Sequence, residues 1–191
     1  MLVAGDLSYA IHSLPKWDEW GRKMQAIAAR RPTHVAIGNH DTVHDYNARW
    51  VMPYPPGHWN TSRSLFYSYE VGPAHIVVLC SLCGKSGSPF AAGQESFVLD
   101  DLASVNHTRT PWTFVIMHNP WYNTNMKHYG DNLPGRAALR DEFEPLFYGR
   151  VDAVFAGHVH AYERFRRMYG GRLTVDSTGM APFHFTIGAG G

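Results

Sequence analysis

Gly157-His158-Val159-His160-Ala161-Tyr162-Glu163-Arg164 follows directly on Val151-Asp152-Ala153-Val154-Phe155-Ala156. The second run is short, apolar and rich in β-branched and aromatic residues, the pattern of a buried strand. A glycine at the end of such a strand lets the backbone turn sharply, and histidines at i and i+2 then leave it together. Imidazole is the commonest protein ligand for transition metals, so the pair forms a metal hook. Taken alone, the motif does not separate this from two ordinary polar residues at a strand end.

The same grammar recurs along the chain. Thr113-Phe114-Val115-Ile116-Met117 is a buried strand that delivers His118, and Thr33-His34-Val35-Ala36-Ile37 runs into Gly38-Asn39-His40-Asp41. Met1-Leu2-Val3-Ala4 runs into Gly5-Asp6, with Tyr9 three residues on. Singly, Asp6 could be a helix cap, Tyr9 a packed ring and Asn39-His40 a turn. Together, strand ends carrying Asp6, Asn39, His118 and His158/His160 fit an open α/β sheet, where sites form outside the carboxyl ends of the strands. A carboxylate, a phenol, an amide oxygen and imidazoles suit a two-metal centre, with ions about 3.5–4 Å apart and an in-line phosphoryl displacement between them. His40 and Asp41 read as a proton-transfer pair.

Between these strands, residues 15–31 form an amphipathic helix with Trp17, Trp20, Met24 and Ile27 at helical spacing, closed by Pro32. Residues 94–105 and 135–148 are crossover helices. Residues 66–71 form a half-exposed strand, 75–82 a buried one, and 172–177 with 182–187 antiparallel strands of the tail. Residues 50–64 read as a loop over one face, and 42–64 and 121–134 as the main pocket loops.

Composition narrows the classes. The chain has 191 residues, 45% hydrophobic and 17% charged, enough for one domain with a core. A net charge of +1 gives no electrostatic case for nucleic acid or an anionic membrane surface, and no apolar run reaches the length of a membrane span. Cys80 and Cys83 form one Cys-x-x-Cys; no matching ligand pair supports structural zinc, and the motif does not open a helix as redox pairs do. They read as incidental. Asn60-Thr61-Ser62 and Asn106-His107-Thr108 fit the N-glycosylation sequon, and the N-terminus carries no signal peptide.

Gly5-Asp6-Leu7-Ser8-Tyr9, Gly38-Asn39-His40-Asp41, Val115-Ile116-Met117-His118 and Gly157-His158-Val159-His160 resemble four of the five metal motifs of the purple acid phosphatases, within the calcineurin-like metallophosphoesterases. Thr110-Pro111-Trp112, His118 to Asn123 and Ala156 to Arg164 match as well. The resemblance implies a metallophosphoesterase-type α/β sandwich of mixed sheets flanked by helices. It implies that residues 1–191 form a single catalytic domain, partial and truncated at both ends. It also implies hydrolysis of phosphate monoesters by a metal-bound hydroxide, on a small-molecule or phosphoprotein substrate, by a secreted or vacuolar/lysosomal enzyme that can form oligomers.

By the same resemblance, Asp6 bridges two metals, Tyr9 and His160 bind Fe(III), and Asn39, His118 and His158 bind a divalent ion (Zn, Fe or Mn). His40 contacts phosphate with Asp41 orienting it, while Lys127 and His128 occupy positions that serve substrate binding and leaving-group protonation. Lysine at 127, where the family has histidine, keeps a point charge for phosphate but is a poorer acid. The family's first motif, Asp-x-Gly, supplies a further ferric ligand and occurs nowhere in these residues. Two rival expectations share the fold: a phosphodiesterase or nucleotide pyrophosphatase, and a non-catalytic metal-binding fragment.

Overall fold

The structure is a computed structural model that describes residues 1–55, 57, 63–83, 93–132, 139–174 and 179–190. Its strands are β1 Leu2–Ala4, β2 His34–Ala36, β3 Tyr67–Val71, β4 Ala74–Val78, β5 Trp112–Met117, β6 Ala153–Ala156, β7 Tyr162–Phe165, β8 Met168–Tyr169, β9 Arg172–Leu173 and β10 Phe183–Ile187. The helices are α1 Leu14–Ala28, α2 Val43–Arg49, α3 Gln94–Ser104 and α4 Arg140–Phe147.

The apolar runs zip into a six-stranded mixed sheet in the order β3-β4-β5-β6-β10-β7. Strands β4, β5, β6 and β10 run parallel, and β3 and β7 close the edges antiparallel. β1 and β2 form a separate parallel pair. Register then sets the function. Met117 lies opposite Ala156 and Ala4 opposite Ala36, so His118 and Gly157 leave at one level, as do Gly5 and Ile37. Strands of period two and matched register deliver their carboxyl ends to one place.

Val77, Val115 and Val154 are buried on the sheet, in one apolar core with Phe97, Val98 and Leu102 of α3 and Phe143 and Phe147 of α4. Each such side chain taken out of water stabilises by roughly 1.5–3 kcal/mol. Trp121 stacks on Phe147 at 5.0 Å, which ties the segment after His118 to this core. Among the described residues no helix is long and apolar enough to cross a membrane.

Four expectations change. Residues 43–49 are helical, because Thr42 Oγ1 accepts the Asp45 N–H at 3.2 Å and Tyr46 donates its hydroxyl to Val35 O at 2.9 Å, pinning two short turns to β2. The strand expected over 75–82 stops at Val78, and a turn closed by Cys83 N–H donating to Cys80 O follows. The helix expected over 135–148 spans Arg140–Phe147, with 133–138 outside the described residues. The tail strand Phe183–Ile187 does not pair with Arg172–Leu173. It lies parallel to β6, where Phe185 stacks on Phe155 at 4.9 Å, and antiparallel to Tyr162–Phe165. Arg172–Leu173 pairs instead with Met168–Tyr169.

Candidate metal centre

Two glycines make the approach of the strand ends possible. Gly5 sits at φ +84°, and a Cβ there would lie 2.5 Å from His118 Nδ1. At Gly38 a Cβ would lie 2.2 Å from the Asp6 backbone nitrogen. Any side chain at either position would push β1 away from His118 or from β2.

His118 is fully buried at the floor. Its Nδ1 lies 2.8 Å from Ala4 O, which fixes Nδ1 as the protonated nitrogen and turns Nε2 outward. That Nε2 faces Asn39 Oδ1 at 2.9 Å, Asp6 Oδ2 at 3.2 Å and His158 Nδ1 at 3.2 Å. His158 Nδ1 lies 2.8 Å from the same Asn39 oxygen. Ligand atoms of Asp6, His118 and His158 all fall within 4.8 Å of one another. Lone-pair atoms crowd a single point, an arrangement that needs a proton or a cation at its centre. Burial raises the Asp6 carboxyl, but the hydrogen bond and charge of His118, with the His40 N–H at 2.9 Å, outweigh it and hold the group below its usual range.

Beside this set, Tyr9 Oη lies 2.7 Å from His160 Nε2, and the His40 ring stacks on Tyr9 at 4.8 Å between centroids. Burial, then the neighbouring Asp6 carboxylate, pushes the Tyr9 phenol up to about 12. Without a cation the phenol therefore keeps its proton at neutral pH. Asp6, Tyr9 and His158 sit at φ 52°, 52° and 62°, left-handed conformations that cost roughly 1–3 kcal/mol each and cluster where function demands them. A cleft of about 500 Å³ runs along β1 past Asp6, Tyr9, His158 and His160.

The structure thus brings Asp6, Asn39, His118 and His158 together, with Tyr9, His160 and His40 at their rim. His128 joins them, its ring edge-on to His158 at 4.7 Å. Lys127 is exposed, its backbone N–H bound to Asn125 Oδ1 at 3.0 Å. The buried carboxylate of Asp41 accepts the backbone N–H groups of Leu7 at 3.0 Å and Gly38 at 3.0 Å, bracing the two glycine loops. Burial raises its pKa despite those bonds.

Sequence reasoning missed three supports. Ala4 O is a backbone atom and leaves no signal. Cys80 and Cys83 are not incidental; they form a disulfide just after β4. Between them, Ser81 Oγ donates to Asn119 Oδ1 at 2.9 Å and accepts the Asn119 N–H at 3.0 Å, gripping the residue after His118. Gln94 holds the same turn through Cys80 N at 2.7 Å and Cys80 O at 3.2 Å. The third is Glu163, which accepts from Thr124. Of the sequon asparagines, Asn106 is exposed and Asn60 lies outside the described residues.

The calcineurin-like phosphoesterase family matches residues 1–162. Purple acid phosphatase 22 of Arabidopsis thaliana is 42% identical over 200 residues, covering 100% of this chain and 43% of that protein. A phosphoenolpyruvate phosphatase of Allium cepa is 35% identical over 214 residues, again covering 100% of this chain and 43% of its own. The chain thus spans less than half the length of these relatives. In three dimensions, a purple acid phosphatase from yellow lupin (Lupinus luteus) seeds superposes with a TM-score of 0.79 at 21% identity, over 100% of this chain and 36% of that one. The expected α/β architecture of mixed sheets and helices is the fold observed.

Proposed function

The chain belongs to the calcineurin-like phosphoesterases, and from that premise we propose that it carries the binuclear centre of a purple acid phosphatase and hydrolyses phosphate monoesters. The convergence of Asp6, Asn39, His118 and His158 from four strand ends on one point carries this proposal. The donor set fits the group: hard oxygens and imidazoles for a divalent ion, and a phenol paired with an imidazole for Fe(III).

Asn39, His118 and His158 would hold the divalent ion (Zn, Fe or Mn), Tyr9 and His160 would hold Fe(III), and the Asp6 carboxylate would serve both. Bound there, two ions lower the pKa of a water and neutralise charge on a phosphoryl group. The chain's own residues do the rest. Ala4 O keeps the His118 tautomer that leaves Nε2 free. His40, stacked on Tyr9, faces incoming phosphate as a hydrogen-bond donor. His128, edge-on to His158, offers a proton to the leaving oxygen, and Lys127 adds a point charge at the open side. The substrate is a small phosphate ester, of the kind phosphoenolpyruvate represents for the onion relative. Glycosylation at exposed Asn106 and a secreted or vacuolar destination complete the proposal.

Hydrolysis of p-nitrophenyl phosphate and of its bis-ester, by protein loaded with iron and zinc, is the test. Turnover of the monoester, at least about tenfold faster and lost in His158→Ala, is expected; preferential turnover of the bis-ester overturns the assignment in favour of a phosphodiesterase.

A further inference from the structure

Residues 121–128 leave the core after Trp121, Tyr122 and Asn123, which are buried, and reach the surface at Thr124. From there the segment braces itself. Asn123 Oδ1 accepts the Asn125 N–H at 3.1 Å, Asn125 Oδ1 accepts the Lys127 N–H at 3.0 Å, and Asn125 O accepts the His128 N–H at 3.1 Å. Asn123 Nδ2 donates to His128 O at 3.3 Å. Two successive side-chain turns of this kind make a stiff unit that moves as one body. Its position over the centre is then set by what it is tied to.

The tie is Glu163. Its Oε1 accepts both the Thr124 backbone N–H, at 2.9 Å, and the Thr124 hydroxyl. Glu163 stands three residues after His160, on β7, and β7 is fixed by pairing with β10 opposite Thr186. Its other oxygen, Oε2, is buried with no hydrogen-bond partner among the described residues. A carboxylate oxygen buried without a partner costs stability, so the two bonds that Oε1 makes to Thr124 are what hold this side chain in place.

We propose that Glu163 is a positioning residue that docks the 123–128 unit onto the strand following His158 and His160, and so sets His128 and Lys127 at the height where they meet the substrate's phosphate. One carboxylate oxygen thereby couples the loop that touches substrate to the turn that carries metal ligands. Substrate binding through this loop rests on the phosphatase proposal; the docking itself does not.

The experiment separates the two. In the metal-free chain, amide exchange of Thr124 is expected to quicken about tenfold or more in Glu163→Ala and to stay slow in Glu163→Gln, whose Oε1 accepts the same two bonds. Thr124→Val, which deletes the hydroxyl from the other side, gives a partial effect and stands in if Glu163→Ala does not fold. With iron and zinc supplied, metal content is expected to be unchanged in Glu163→Ala, while affinity for inorganic phosphate falls about tenfold. In a His128→Ala background the same substitution should cost clearly less than in the wild type, since one of the two partners it positions is gone. Unchanged Thr124 exchange, loss of metal in Glu163→Ala, or full additivity with His128→Ala overturns the proposal. A loaded wild type that binds no phosphate overturns the phosphatase proposal instead, and the exchange data alone then decide the docking.

Discussion

At the amino end of the parallel strands, His75 at the start of β4 meets Asp101 of α3 at 2.8 Å, and Ser68 of β3 donates to the other Asp101 oxygen at 2.5 Å. At the carboxyl end, His118 meets Asp6 at 3.2 Å, with Asn39 and His158 pressed against the same nitrogen. Both ends hold a buried histidine beside a carboxylate, yet they differ in what completes the set. Asp101 receives a donor on each oxygen, so this carboxylate is satisfied without a cation, although His75 Nδ1 is buried with no hydrogen-bond partner among the described residues. Around His118, acceptors face acceptors, and three neighbouring residues hold left-handed backbone to keep them there. A histidine and a carboxylate in contact are therefore no sign of chemistry; convergence of unshared lone pairs, held by strain, is.

Substitutions should split the two ends cleanly. The largest effect is expected for His118→Ala, which removes the shared nitrogen. Turnover of p-nitrophenyl phosphate by metal-loaded protein should fall by about 10³-fold or more, with divalent metal lost in the same preparation. Asp101→Ala should do the reverse. It strips two buried partners and costs about 2–3 kcal/mol in a denaturant midpoint, while turnover per folded molecule stays at the wild-type value. If Asp101→Ala abolished turnover, or His118→Ala only lowered stability, the contrast would collapse.

Between the ends, the buried His184 of β10 should make the fold sensitive to acid. Burial pushes its pKa down to about 3, against an ordinary value near 6.5. The unfolded chain takes up a proton as pH falls below about 6.5, and the native chain does not until about 3. Stability should therefore drop with acidity across that window, by up to about 1.4 kcal/mol per pH unit. His184→Leu should flatten the slope of unfolding free energy against pH without touching metal content. A smaller effect is expected for Cys80→Ser with Cys83→Ser. Loss of a bridge closing so short a loop costs about 2 kcal/mol, and release of Ser81 from Asn119 should loosen His118 enough to weaken metal uptake measurably.

The strand ends that carry Asp6, Asn39, His118 and His158 were legible because their signals are local. An apolar β-branched run, a glycine and a donor residue can be read within about six positions at Ala4–Asp6, Ile37–Asn39 and Ala156–His158, and at Met117–His118 the run meets its donor directly. Pairing was less legible. Tyr162-Glu163-Arg164-Phe165 is half exposed and polar, and becomes a strand only because β10 offers it an edge. Helix α2 is seven residues with few strong helix formers, and its anchors, Val35 O and Ser64 O, are backbone atoms far along the chain. Asp41 shows a further limit. It neighbours His40 in sequence, but the turn sends the two side chains to different places, one to the loop backbones and one onto Tyr9. Left-handed backbone at Asp6, Tyr9 and His158 has no sequence mark, since none of them is glycine.

The central claim is that the four strand ends form a metal centre with Tyr9 at its edge. Metal content per chain after loading with iron and zinc, read together with the visible spectrum, tests it most directly. Two ions per chain are expected, with a visible absorption band that disappears in Tyr9→Phe while the divalent ion stays. That band requires a phenolate, which the protein alone does not supply, because Tyr9 titrates at about 12 without a cation beside it. A chain that retains no metal, or retains it equally in His118→Ala with His158→Ala, would contradict the account.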